Sequence, residues 1–488
     1  MTTFTRRAFL ALCVLLTLPS IAETRPNLLL ITVDDMSADS MGIYGCPVKE
    51  TTPHMDDLAR SGFRFERAHT VVANCKPSRN VMWSGRYPHT NGVEGFYKVK
   101  NTYPVLCDLY KDAGYFTGIR GKVAHSTPYV PYGWDSVLDT IDEDKPHLKD
   151  PGSYGRSLAR GIKLAEEAKK PFCLMINISD PHKPFYTGPH DPFQPSQVFT
   201  ATDIVVPGFL PDAPSIRKEI ALYYSSVRRA DDCVGELMQI LKASGHDNTT
   251  IVVFVSDHGM PFPFAKTAVW HHSTHTPWII RWPGNTRAGD ADNEHMVSMI
   301  DMLPTLLDMT GIPHPAGVQG RSVVPILKGM QQEGRDYIIK EYNENAGGGR
   351  NPMRSIQGKR FMYNFNPWVN GVREFKTATR GTETYRTMKI MAGTDQSVAE
   401  RVALFEHGTL EELYDINTDP DALVNLANNP EYAEELEKLR RHLAQWMEQT
   451  QDHALTAFQH RDNPEIREAY VSGMQKKALA RKHGQQDK

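Results

Sequence analysis

A chain of 488 residues is too long for one ordinary core, so it points to two domains or to a large α/β domain with a smaller appendage. Apolar residues at 40% and charged residues at 23% give the balance of an ordinary globular protein. Lys and Arg total 55 against 58 Asp and Glu; the net charge of -3 excludes a global field for nucleic acid or an anionic membrane, so local basic residues must bind any anion.

The chain opens with a targeting segment at residues 1–22. Arg6-Arg7 precede an apolar run from Ala8 to Leu18, and Pro19-Ser20-Ile21-Ala22 supplies a small-x-small cleavage site. The run is too short to remain as a bilayer anchor. Thr5-Arg6-Arg7-Ala8-Phe9-Leu10 is similar to a twin-arginine signal, and general secretion fits equally well. The expectation is a soluble periplasmic or secreted protein without a stable membrane anchor. Once Cys13 leaves with the signal, Cys46, Cys75, Cys107, Cys173 and Cys233 form an odd set. At least one thiol is then unpaired or chemically used, and no C-x-x-C spacing suggests zinc.

Asn27 to Val33 is a continuous apolar run, as expected of a central parallel strand covered on both faces, and it ends in Asp34-Asp35. Phe116 to Arg120 is strand-like and leads into Gly121-Lys122-Val123-Ala124-His125. Phe172 to Ile178 and Ile251 to Val255 repeat the buried-strand pattern, ending in Ser179-Asp180-Pro181-His182 and Ser256-Asp257-His258-Gly259. Ile216 to Ala243 has helical spacing, and Thr276 to Trp282 is a further strand. Strands alternating with helices predict a large, mostly parallel sheet sandwiched by helices, with ligands gathering beyond the carboxyl ends of its strands.

The larger α/β domain is expected over 25–345. Ile300 to Thr310 is helix-like, and the boundary falls between it and the glycine run Ala346-Gly347-Gly348-Gly349. A smaller α+β domain is expected over 350–459, with short strands at Arg360 to Phe365 and Arg386 to Met391 and an amphipathic helix from Glu431 to Gln451. Residues 460–488 read as a polar tail that frays or reaches a neighbouring subunit.

Asp34, Asp35 and Asp257 would meet at one sheet edge, where three carboxylates repel unless a cation neutralises them. Oxygen-rich sites of that kind select Ca²⁺ or Mg²⁺. Strand-end aspartates also cap helices, which is the plainer reading of each alone. Cys75-Lys76-Pro77-Ser78-Arg79 fits the C-x-P-S-R signature of the type I sulfatases. The resemblance extends over most of the mature chain: the Asp34-Asp35 strand, Gly121 to His125, Ser256 to Gly259, and Glu412-Leu413-Tyr414-Asp415-Ile416 followed by Asp419-Pro420 and Asn425-Leu426. Pro261-Phe262-Pro263-Phe264 and Met353-Arg354-Ser355 look most like the branch that contains heparan N-sulfatase.

The resemblance implies an alkaline-phosphatase-like fold and a sulfatase of sulfated carbohydrate. It implies that a formylglycine-generating enzyme converts Cys75 to Cα-formylglycine. It also implies one metal ion, held by Asp34, Asp35, Asp257, His258 and the modified Cys75. Calcium is the expected ion, with the His258 imidazole also compatible with Mn²⁺, and Mg²⁺ with the oxygens. In the family, Arg79 would stabilise the hydrated aldehyde, Lys122 would bind sulfate and nucleophile oxygens, His125 would help expel sulfate, and His182 with Lys266 would protonate the leaving atom. His271, His272, His275 and Arg354 are candidate saccharide contacts on chemical grounds, as is Phe365-Asn366-Pro367-Trp368. Alternatives within the superfamily are a sulfamate hydrolase and a phosphodiester or phosphonate monoester hydrolase; from another class, an inactive glycan-binding protein.

Overall fold

The computed structural model describes residues 25–100, 102–140 and 147–486. The targeting segment expected at 1–22 lies outside them. The described residues form β1 (Asn27–Asp34), β2 (Phe63–Phe65), β3 (Ala68–His69), β4 (Phe116–Arg120), β5 (Ser136–Val137), β6 (Phe172–Pro181), β7 (Thr250–Ser256), β8 (Trp278–Arg281), β9 (Asp290–Asp292), β10 (Val297–Ser298), β11 (Tyr337–Glu344), β12 (Arg350–Gly358), β13 (Phe361–Phe365) and β14 (Glu411–Asp415).

The large sheet has the order β5-β4-β6-β1-β7-β8-β2-β9. Strands β4, β6, β1 and β7 are adjacent and parallel, while β8 runs antiparallel to both β7 and β2. The apolar run of β1 explains its central place. Leu29, Ile31 and Val33 enter one core with the helices Pro151–Glu167 and Pro214–Ala243; Leu28 and Leu30 enter the other with Cys75–Ser84 and Met302–Thr310. Each such side chain contributes about 1.5–3 kcal/mol on burial, so both faces hold β1 in place. Because the four parallel strands end side by side, Lys122 and His125, His182, Asp34-Asp35, and Asp257-His258 are delivered to one edge.

The second sheet is antiparallel, β11-β12-β13-β14. Ile339, Ile356, Tyr363, Phe365 and Leu413 pack from it onto Leu436, Leu439, Leu443 and Met447 of the helix Ala433–Thr450. Three expectations are corrected here. The glycine run is no interdomain boundary: Asn345 to Gly349 is the hairpin turn between β11 and β12, with Gly348 at φ 84°, so the smaller sheet begins at Tyr337. Arg386 to Met391 is helical, part of Glu383–Met391; Thr382 caps it, and Tyr385 and Met388 are buried at helical spacing. The tail is ordered as the helix Pro464–Gln486, started by Asn463, whose side chain accepts from Glu465 N at 2.9 Å. Val471 and Ala478 are buried beneath it, and Gln475 accepts from Arg350 N at 2.9 Å.

Arg354, expected to contact saccharide, is a structural arginine. Its side chain and that of Asp452 are both 0% exposed, with Nη2 donating at 2.8 Å and Nε to the other oxygen, and Nη1 reaching Asn343 Oδ1 at 3.0 Å. Burial pushes the Asp452 carboxyl up, but Arg354 overrides it and brings it to about 2. A depressed carboxylate stabilises the fold above its unfolded pKa, and that contribution is lost as pH falls through the folded value. Asp452→Asn leaves Arg354 buried and unpaired and therefore costs about 3–5 kcal/mol at neutral pH. The gap between parent and variant should close as pH falls from about 4 through about 2. Urea unfolding of both proteins over that range checks this; a pH-independent gap would contradict it.

Candidate active site

Cys75 is the first residue of the helix Cys75–Ser84. The preceding Asn74 is extended and does not cap the helix; its side chain donates to Glu344 O at 3.1 Å instead. The first-turn amides of Cys75 and Lys76 thus have no side-chain cap, at the positive end of the helix dipole. Pro77 forfeits nothing in a turn whose N–H groups lack intrahelical partners. Ser78 ties the helix to the end of β7, its hydroxyl donating to Asp257 O at 2.6 Å. Burial, then the charge of Asp34, pushes the Cys75 thiol well above its ordinary value. Unmodified, it is protonated and a poor nucleophile.

Asp34, Asp35 and Asp257 are 0%, 1% and 0% exposed. Asp35 adopts φ 71°, a left-handed backbone costly for a non-glycine residue, and its amide donates to Asp257 Oδ1 at 3.1 Å. Three cations oppose the carboxylates. Arg79 donates from Nε to Asp257 at 3.1 Å and from Nη2 to Asp34 at 3.2 Å; Lys122 Nζ contacts the other Asp34 oxygen; Lys266 Nζ donates to both Asp35 oxygens at 2.7 and 2.6 Å. Arg79 is itself sealed from solvent, its Nη1 donating to Thr32 Oγ1 at 2.8 Å and Asn177 Oδ1 at 2.6 Å. Burial pushes all three carboxyls up. Lys122 and a hydrogen bond with Asp257 nevertheless bring Asp34 well below the usual range, and Lys266 lowers Asp35. Asp257, facing the Asp34 charge, is raised well above it.

His258 Nε2 lies 3.3 Å from Cys75 Sγ, 3.2 Å from Asp35 Oδ1 and 3.7 Å from Asp257 Oδ1. Its Nδ1 donates to Gly259 O at 3.0 Å, so the lone pair sits on Nε2. Burial lowers its pKa to about 4 despite Asp35, keeping the ring neutral at pH 7. A Cβ on Gly259 would stand 2.1 Å from His272 O, so glycine is required there. Ligand atoms of Asp34, Asp35, Cys75 and His182 lie within 4.8 Å of one another, as do those of Cys75, Asp257 and His258. This donor set fits a divalent cation: clustered carboxylates, one neutral imidazole, and one carboxyl that holds a proton where a metal would take its place.

Gly121 at φ 70° and Lys122 at φ 50° turn the chain sharply out of β4, bringing Lys122 to Asp34. His125 packs edge-on against Phe96 at 5.4 Å, and its Nδ1 is buried without a hydrogen-bond partner. Burial, then Lys122 and Arg79, lower it to about 3. His182 Nδ1 donates to Lys183 O at 2.6 Å, leaving Nε2 for the cluster.

Some residues escaped the reading of the sequence. Thr32 and Asn177 hold Arg79, and each is a polar residue inside an apolar strand run, a signal that was there to use. Lys149 Nζ donates to Asp180 Oδ1 at 2.6 Å and to His182 O at 2.8 Å, and Arg229 Nε to Asp180 Oδ2 at 2.7 Å, bracing the His182 loop. The three candidate saccharide histidines are used internally. His271 and His275 pack with His69, ring centres 5.0–5.2 Å apart; His271 Nδ1 is 3.1 Å from Gln357 and His275 donates to Glu66 O at 2.9 Å. His272 sits between Asp39 and Asp421 at 3.1 and 3.0 Å; although burial opposes it, those carboxylates raise it to about 9. Phe365 to Trp368 are buried too.

The sulfatase family model matches residues 26–312, and the model for the C-terminal part of N-sulphoglucosamine sulphohydrolase matches residues 257–368. This chain belongs to the sulfatase family. The sulfatases are sulfuric ester hydrolases, and that is its enzyme class. It is 30% identical over 490 residues to human N-sulphoglucosamine sulphohydrolase, covering 91% of this chain and 94% of that one. An ulvan-active sulfatase of Formosa agariphila is 28% identical over 438 residues, covering 88% and 81%. Among solved structures, a 2-O glycosaminoglycan sulfatase superposes with a TM-score of 0.65 at 21% identity, over 91% of this chain and 96% of that one. The phosphonate monoester hydrolase of Agrobacterium radiobacter also gives 0.65 at 21%, over 87% and 96%. Similarity at that level establishes the fold, mixed α/β with a C-terminal antiparallel sheet.

Asp257→Asn keeps the shape and the Asp34, Thr32 and Asn177 contacts of Arg79 while removing one ligand charge. Its affinity for a divalent cation should fall by about 10–100-fold or more in calorimetric titration, with the folded protein retained. Parent-level cation binding by this sulfatase variant would contradict the cluster as a metal site.

Proposed function

We propose that this sulfatase is exported and calcium-dependent, and that it releases inorganic sulfate from a sulfated carbohydrate with Cys75 matured to Cα-formylglycine. The observation that carries the reading is the buried Cys75 Sγ at an uncapped helix N-terminus, 3.3 Å from His258 and inside the Asp34, Asp35 and Asp257 cluster. Three carboxylates favour Ca²⁺ over softer ions, with Mn²⁺ and Mg²⁺ as the alternatives. Among the described residues no helix is long and apolar enough to cross a membrane; export to the periplasm or medium rests on the targeting segment.

When bound, the cation neutralises the carboxylates and polarises the sulfate. When matured, residue 75 supplies a hydroxyl nucleophile, and a second hydroxyl from which sulfate can be expelled without water attacking sulfur. Arg79 holds Asp34 and Asp257 at fixed spacing. Lys122 and Lys266 place two ammonium groups where negative charge gathers on the transferring sulfate. His182, its Nδ1 held by Lys183 O, turns Nε2 toward the departing atom as the proton donor. His125 enters neutral, held low by burial and then by Lys122 and Arg79, and takes the proton of the second hydroxyl as sulfate is expelled.

A sulfamate is the second substrate reading, favoured by the match to the N-sulphoglucosamine sulphohydrolase C-terminal model and by the 30% identity to that human enzyme. The rival chemistry, phosphodiester or phosphonate cleavage, shares the fold. Matured protein is offered N-sulfated glucosamine, O-sulfated glucosamine and an aryl phosphodiester, and kcat/KM is compared. Sulfate release should exceed phosphodiester cleavage by about tenfold or more, a margin of ~1.4 kcal/mol in transition-state binding. Faster phosphodiester cleavage would overturn the proposal, and the ratio of the two glucosamines assigns sulfamate or ester. No turnover at all would favour an inactive glycan-binding protein.

A further inference from the structure

Among the described residues, Lys76, next to the nucleophile, is a cation at this edge that the machinery above leaves unused. It is 5% exposed, yet among the described residues its ammonium has no hydrogen-bond or ion-pair partner. Arg79, Lys122 and Lys266 each sit on a carboxylate. Its stem is buried while the unpaired ammonium stays open to an incoming counter-charge. Such a group is retained without penalty to function when the counter-charge arrives with a ligand.

The surroundings indicate where that ligand would lie. Asn80 Nδ2 donates to Lys76 O at 2.7 Å and to His125 O at 2.8 Å, so Lys76 and His125 are bound side by side. The charge on Lys76 acts on His125, and the exposed Lys98, two residues after the Phe96 that packs on His125, acts on Lys76. No carboxylate is paired with either lysine. The result is a basic corner on the His125 side of the nucleophile, with Phe96 as an apolar surface beside it.

We propose that Lys76, with Lys98, forms a second anion subsite that reads a further anionic group, a carboxylate or another sulfate, on the saccharide whose sulfate is removed at Cys75. It rests on the carbohydrate-sulfatase reading and narrows it to substrates carrying at least two anionic groups. Lysine suits the task as a compact point charge that accepts either oxyanion.

The test uses Cys75→Ala protein, which has no nucleophile at residue 75, titrated with glucosamine N-sulfate, glucosamine N,6-disulfate, and N-sulfoglucosamine linked to a uronate. Lys76→Met on that background should weaken at least one two-anion ligand by about tenfold or more and the monosulfate by less than about threefold. The ligand that suffers identifies the second group as sulfate or carboxylate. Lys76→Arg should restore most of the affinity. The Lys76→Met protein should unfold at the parent temperature or above it, because no hydrogen bond or ion pair is lost and the methionine stem fills the same buried space. Equal weakening of all three ligands, or no weakening of any, would overturn the subsite. Failure of all three to bind, with no sulfate released by matured parent enzyme, would count against the sulfatase substrate reading as well; sulfate release without a Lys76-dependent difference would overturn the subsite alone.

Discussion

Three carboxyl groups buried together repel one another as they ionise, and the rest of this site exists to hold them. Two unit charges at 4 Å interact by about 4 kcal/mol at an effective dielectric of 20, so the Asp34, Asp35 and Asp257 cluster cannot persist unaided. Arg79 joins Asp34 to Asp257, Lys266 clamps Asp35, and Lys122 takes the far oxygen of Asp34. The strain reaches the backbone: Asp35, Lys122, Phe264 and Thr267 all have positive φ and all lie in the segments that carry these groups. The charges are therefore in place before any ligand arrives, which is the condition for electrostatic catalysis.

The same constraint explains the layers behind the site. Arg79 needs Thr32 and Asn177, so polar atoms are admitted to the middle strands at the cost of apolar packing. Ser78 locks the Cys75 helix to β7, and Asn74 ties its start to Glu344 at the end of β11. His272 joins Asp39, just past β1, to Asp421 beyond β14. The smaller sheet and the segment beyond it thus support the Cys75 helix and the loop after β1.

Much of this was legible in the sequence because it is local. Apolar runs buried on both faces mark β1, β6 and β7, and the polar residues at their ends must share an edge once the strands lie parallel. The C-x-P-S-R stretch carried the family resemblance in five residues. What could not be read depended on partners distant in the chain. Arg354 and His272 look like ligand-binding residues in isolation; only the fold brings Asp452 to the first and Asp39 and Asp421 to the second. The glycine run reads as the edge of a domain, and only the pairing of Tyr337–Glu344 with the strand beyond it makes it a hairpin turn. The helix Pro464–Gln486 reads as a polar tail because its apolar face is thin, and docking on β12 rather than periodicity defines it.

The central proposal is that residue 75 acts as matured Cα-formylglycine rather than as a thiol, which burial, then the Asp34 charge, pushes well above its ordinary value. The direct measurement is the mass of the peptide containing Cys75, from protein made with a formylglycine-generating enzyme and handled without thiol reagents. The account predicts the aldehyde mass, reached from the thiol by loss of sulfur and gain of oxygen. An unmodified thiol in protein that nonetheless released sulfate at full rate would contradict it.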